Sequence, residues 1–138
     1  MESTGRREPA MARWLPHLAI LAGVLMVFQA FLAGRGLFLD RDLIEIHGYL
    51  GEFTFLVGVA IVISAWLGKQ SGRYGQTELI LAVTNLLLIV AQLGLGYGTR
   101  DNLAIVAWHL ANAVLVSGTI AALIALSLRR PLPSGPAV

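Results

Sequence analysis

Four stretches of this chain, at approximately 15–34, 43–68, 79–97 and 103–128, run almost without charge. A helix rises about 1.5 Å per residue, so each stretch is long enough to cross the roughly 30 Å hydrocarbon layer of a bilayer. Lipid offers no hydrogen bonds to backbone N–H and C=O groups, and only helices and closed barrels satisfy those groups internally. Runs of this length exceed the roughly ten residues of a barrel strand. The expected fold class is therefore all-α, an integral membrane four-helix bundle, with residues 1–138 forming one membrane domain. A content of 57% hydrophobic and 13% charged residues, with a mean hydropathy of +0.74, places the chain outside ordinary soluble domains. The absence of cysteine excludes disulfides, thiolate metal sites and thiol catalysis. A net charge of +2 gives no footing for nucleic acid as a partner. The start, Met-Glu-Ser-Thr-Gly-Arg-Arg, leads into a full-length apolar run without a small-residue cleavage pattern, so the first helix is read as retained.

Arginine and lysine orient the spans. Arg6, Arg7, Arg13, Lys69, Arg73, Arg129 and Arg130 fall in the N-terminal tail, the middle loop and the C-terminal tail, whereas Arg35, Arg41 and Arg100 fall in the other two loops. The positive-inside rule then puts both termini in the cytoplasm and loops 35–42 and 98–102 outside. Asp42 followed by Glu45 has the form of a capping box opening the second helix, and Asp101 stands in position to cap the fourth. KQSGRYGQTE reads as a polar connection between the second and third helices, and the proline-rich tail at approximately 129–138 is expected to be disordered.

The chain also repeats itself weakly. Gln29 near the end of the first helix is followed 18 residues later by His47 in the second, and Gln92 near the end of the third is followed 17 residues later by His109 in the fourth. Helices one and two, and helices three and four, thus read as two copies of one hairpin, each placing a Gln on its first helix and a His on its second. Repeats of this kind are a known membrane architecture. Packed as a bundle, they bring His47 and His109 to facing helices in one leaflet. Counted from the expected caps, the two histidines differ in depth by about one helical turn, a difference that helix tilt absorbs.

Two neutral imidazoles meeting in a bundle core suit the axial positions of a haem iron. Gly51 and Ala113, each four residues beyond its histidine, share that histidine's face and would leave room for a flat macrocycle, with Gly48 beside them. The plainer alternative is a pair of interfacial histidines bonded to backbone or water. Gln29 and Gln92 read equally as interhelical hydrogen-bond partners and as the lining of a cofactor pocket. Arg35, Arg41 and Arg100 are loop charges that, with haem present, are placed to pair its propionates. His17, beside Pro16 at the opposite end of the bundle, is expected to be structural. Glu52, deep in the second helix and about 140° around it from His47, is expected to be neutral and bonded to a neighbouring helix. Proton transfer, quinone binding or a contact with another subunit are its other readings.

From about residue 27 to 118 the pattern resembles one four-helix half of the haem A synthase family. A first helix ending in Gln and Gly, His47 with Gly51 after it, Gln92-x-x-x-Gly96 closing the third helix and His109-Leu110 in the fourth carry the likeness. The resemblance implies His47 and His109 as ligands of haem b in a bacterial or archaeal plasma membrane. The family's Glu-x-x-His-Arg motif is matched only in part, since Glu45 stands two residues before His47 and Gly48 follows it. The expected function is a b-type, bis-histidine haem protein serving electron transfer or a respiratory or photosynthetic complex, with a membrane-protein partner or a second copy of itself. A half-size oligomeric haem A synthase and a haem-free assembly subunit are the alternatives.

Overall fold

The computed structural model of the protein describes residues 9–99 and 102–129. After a short 3-10 helix at Ala10–Trp14 come α1 (Leu15–Phe38), α2 (Asp42–Gln70), α3 (Gln76–Gly98) and α4 (Ala104–Leu128). All four are long and apolar enough to cross a membrane. The protein is an all-α integral membrane four-helix bundle. Each helix packs on the next and α4 closes back on α1, so α2 and α4 lie on one diagonal and α1 and α3 on the other.

The side chains sort as lipid requires. Bulky apolar residues such as Val27, Phe28, Phe38, Leu56, Trp108 and Val114 face outward, whereas Ala19, Ala22, Ala65 and Ala82 are fully buried. Gln29, Thr54, Ser64, Asn85 and Asn112 are also buried. Lipid tails are as apolar as leucine, so association gains little from hiding large apolar groups and depends on close backbone approach and interhelical hydrogen bonds. Ser64 shows the second effect, donating through Oγ to the Met11 carbonyl at 2.7 Å and fastening the 3-10 helix to α2.

The element ends correct several expectations. α1 continues four residues beyond 34, to Phe38. The Asp42–Glu45 capping box does not form. Asp40 Oδ1 accepts from the Asp42 N–H at 3.1 Å, and Glu45 instead accepts the Tyr49 hydroxyl at 2.9 Å. Asp101 lies outside the described residues; Asn102 Oδ1 accepts the Ala104 N–H at the start of α4, at 2.9 Å. α3 begins three residues before the expected 79, and Glu78, expected in the connecting loop, is buried inside its first turn, where it accepts the Gly75 N–H at 2.9 Å. The tail beyond 129 and the N-terminal residues 1–8, with their arginines, lie outside the described residues.

The turn between α2 and α3 uses Gly72 at φ +78°, in the left-handed region open to glycine. The chain then doubles back, and the buried Tyr74 ring lies directly on Gly68, where a β-carbon has no room. Gly118, by contrast, has nothing within 4 Å of a β-carbon. Gly68→Val is expected to destabilise the bundle by about 1–3 kcal/mol through overpacking, while Gly118→Ala is expected to be neutral or mildly stabilising. Thermal unfolding in detergent, followed by circular dichroism, measures both; equal midpoints for the two variants would contradict the packing described.

Candidate functional site

His47 lies five residues after Asp42 and His109 five residues after Ala104, so the two stand at the same depth in their helices. The one-turn offset inferred from sequence disappears because α4 starts later than a cap at Asp101 would place it. The two rings meet across the α2–α4 diagonal with centroids 6.1 Å apart and planes at 64°.

Each imidazole is held by the same bond. His47 Nδ1 pairs with the Gln29 backbone carbonyl at 3.0 Å, and His109 Nδ1 pairs with the Gln92 backbone carbonyl at 3.1 Å. A carbonyl can only accept, so both Nδ1 atoms carry the proton and both Nε2 atoms are left with a lone pair. A helical carbonyl has a second lone pair to offer beyond its own ladder bond, and this is the one each histidine uses. The repeat read from sequence is thus physical: in each hairpin the second helix hooks its histidine onto the first helix at the glutamine. Gly96, one turn beyond Gln92, clears the way, since a β-carbon there would stand 3.2 Å from His109 Cε1.

The two halves differ beyond that bond. In the second, Gln92 Nε2 lies 3.1 Å from His109 Nε2 and donates to its lone pair, while Gln92 Oε1 accepts from Asn112 Nδ2 at 2.7 Å. Asn112 also donates to the Leu88 carbonyl at 2.9 Å. In the first half the position matching Asn112, three residues after the histidine, is Leu50. The Gln29 amide has nothing there to hold it, and its buried Oε1 has no hydrogen-bond partner. Asn112 is the residue that sequence reading missed. A lone Asn within an otherwise apolar stretch of α4 was the available signal.

The other expected residues are placed as follows. Gly51 faces the site, but the room it leaves is taken by Gln29 Nε2 and Leu93, at 3.3 and 3.2 Å from where its β-carbon would stand. Ala113 is half-buried one turn beyond His109. Gly48 has nothing within 4 Å. Arg35 and Arg41 are exposed at the histidine end of the bundle, Arg35 with its guanidinium 5.9 Å from the Phe31 ring centre. Arg100 lies outside the described residues. His17 is at the far end, 5.7 Å from the Trp14 ring, and takes no part. Between α1 and α4 runs an apolar cleft of about 310 Å³ that includes Gly23, Met26, Ser117 and Ile120 in its lining and no histidine.

Glu52 faces outward from α2, away from His47, and accepts the Tyr97 hydroxyl of α3 at 2.8 Å. The expected bond to a neighbouring helix is present. Among the described residues no group of three or more His, Cys, Asp or Glu side chains gathers. No family model, no curated protein and no solved structure matches this chain.

Glu52→Gln keeps an acceptor for Tyr97 without a charge and is expected to insert and fold as the parent does, whereas Glu52→Leu removes the bond and should cost about 1 kcal/mol. Detergent-extracted yield and thermal midpoint compare them; a Gln variant as impaired as the Leu variant would mean that the carboxylate's charge, rather than its hydrogen bond, is required.

Proposed function

We propose that the protein binds one haem between His47 and His109, as a b-type cytochrome-like subunit that serves electron transfer within a membrane complex. The observation that supports this most directly is the repeated Nδ1–carbonyl bond. It fixes both imidazoles in one tautomer, with Nδ1 bonded to a carbonyl and the lone pair on Nε2, as metal-bound histidines commonly are. The ring separation agrees, because two metal–nitrogen bonds of about 2.0 Å plus the half-widths of two rings come to roughly 6 Å. A pair of imidazoles is too few donors for a structural zinc ion, and it suits a group that brings its own equatorial nitrogens.

His47 and His109 would hold the iron, and Arg35 and Arg41, at the same end of the bundle, would pair with its carboxylates. The group itself supplies the one-electron chemistry. The chain contributes two neutral ligands oriented by backbone carbonyls, glutamines on the remaining diagonal, and an apolar outer surface that keeps water away. The charge distribution supports an orientation in which the histidine end faces outward and both termini are cytoplasmic.

A second reading rests on one observation. Gln92 already satisfies His109 Nε2, which is what a haem-free structural or assembly subunit would show. A reduced-minus-oxidised spectrum with a pyridine haemochrome assay separates the two, and protein made with ample haem that lacks a Soret band would exclude the first. His47→Ala and His109→Ala are each expected to abolish the low-spin bis-histidine spectrum. The double variant should show no further loss of that signal, because both act on one bound object. His17→Ala should leave the spectrum unchanged.

For the orientation, Ser71→Cys in the α2–α3 turn should resist an impermeant thiol reagent added to intact cells and react after lysis. Labelling from outside would reverse the assignment.

A further inference from the structure

We infer, independently of haem, that the outward face shared by α2 and α3 is a docking surface for a transmembrane helix of a different protein, one that presents an arginine or lysine side chain at the level of Glu52.

Two stripes of exposed residues form this face, Tyr49, Glu52 and Leu56 along α2 and Val90, Gly94 and Tyr97 along α3. Spacings of three and four residues keep each stripe on one side of its helix, and the Tyr97–Glu52 hydrogen bond of 2.8 Å joins the two into one surface. Glu52 lies about 15 Å along α2 from its outer end. Acidic side chains inside a span almost always face a bundle interior or a water-filled cavity, where they find partners. Glu52 faces out. Tyr97 serves one of its carboxyl oxygens, and Tyr49, one turn nearer the surface, gives its hydroxyl to Glu45. Among the described residues Glu52 Oε2 has no hydrogen-bond partner. Lipid tails offer neither a donor nor a charge. A basic side chain on a facing helix offers both, and the pair relieves the cost that each group bears alone in lipid.

A second copy of this chain does not supply that group. α3 and α4 contain no lysine or arginine, α2 has only Lys69 at its opposite end, and α1 has only Arg35. Gly36 packs on Ile44, which sets Arg35 about two turns nearer the outer surface than Glu52. Copies related by a two-fold axis along the membrane normal keep equal levels, so among the described residues such a pairing would set Glu52 against apolar side chains or against its own counterpart. The rest of the face suits a helix. Leu56 and Val90 stand uncovered, and Gly94, between Val90 and Tyr97, has nothing within 4 Å of a β-carbon. A low point of that kind lets a second backbone come close.

The test uses the full-length protein carrying a fluorescent donor on Ser71→Cys, in phosphatidylcholine vesicles with an acceptor-labelled transmembrane leucine–alanine peptide that has arginine, or leucine in its place, at the level of Glu52. The parent is expected to bind the arginine peptide about tenfold more tightly than the leucine peptide. Glu52→Gln, which keeps an acceptor for Tyr97, should lose that preference with its thermal midpoint unchanged. Gly94→Leu, set in open space, should weaken binding of both peptides without unfolding the bundle. Equal binding of the two peptides by the parent, a preference that survives Glu52→Gln, or unchanged binding by Gly94→Leu would overturn the inference. Loss of the preference when phosphatidylethanolamine replaces half of the phosphatidylcholine would also overturn it, by giving the carboxyl to a lipid amine. Energy transfer between differently labelled copies of the parent that disappears in Glu52→Gln would overturn it in favour of a second copy. Haem content, measured separately, decides the haem reading and leaves this one untouched.

Discussion

A polar group in a lipid solvent has to find its partner inside the protein. The bundle is organised around that constraint. Two imidazole N–H groups, one in each hairpin, reach across to a backbone carbonyl of the preceding helix, and these bonds hold the hairpins in register at the end where the site lies. Asn85 does the same work deeper in the bundle, donating to the Val116 carbonyl and to Thr119 Oγ1. In water such bonds would compete with solvent and add little; here the competing solvent is hydrocarbon.

Bonds of this reach need helices that come close, and so glycine and alanine recur along the contacts. Gly96 admits the His109 ring against α3, Gly51 admits the Gln29 amide, and Gly58 lies against Ile89 and Leu86. Many large apolar side chains cover the outside, while Leu15, Ile61, Ile120 and Leu123 pack between the helices. Closeness and polarity are two parts of one arrangement. Without the small residues the carbonyls would be out of reach, and without the hydrogen bonds little would favour helix contact over lipid contact.

Equivalence of the two hairpins at the level of the backbone also makes their difference at the side chains meaningful. Both histidines are oriented by the same bond, so the difference between Leu50 and Asn112 shows at the glutamine amides and at the second ring nitrogen. Duplicated membrane architectures offer this possibility generally: symmetry supplies a pair of equivalently held histidines, and a single departure from it makes the surroundings of one differ from those of the other.

Much of this was legible from residue order. Apolar runs of 20 or so residues determine the spans, because a helix of that length satisfies its own backbone across the lipid layer, and the Gln–His spacing in each half determines that the two histidines belong to equivalent hairpins. The angle of Glu52 from His47 follows from helical periodicity; that it faces outward is decided by the packing of α2 against its neighbours. What sequence could not supply was the partner of each polar atom. The glutamines stood out for their side chains, yet it is their backbone carbonyls that orient the histidines, and every residue has a carbonyl. The macrocycle space expected at Gly51 is filled by Gln29 and Leu93, neighbours on two other helices. Asn112 and Glu78 were passed over for the same reason: a polar residue inside or beside an apolar run is informative only once the opposing helix face is known. Periodicity runs along one helix and sets spans, faces and repeats. Hydrogen bonds form between helices at separations of about 3 Å, and rotation or sliding by a fraction of a turn reassigns them, so only the packed bundle decides which nitrogen is held and which is left open.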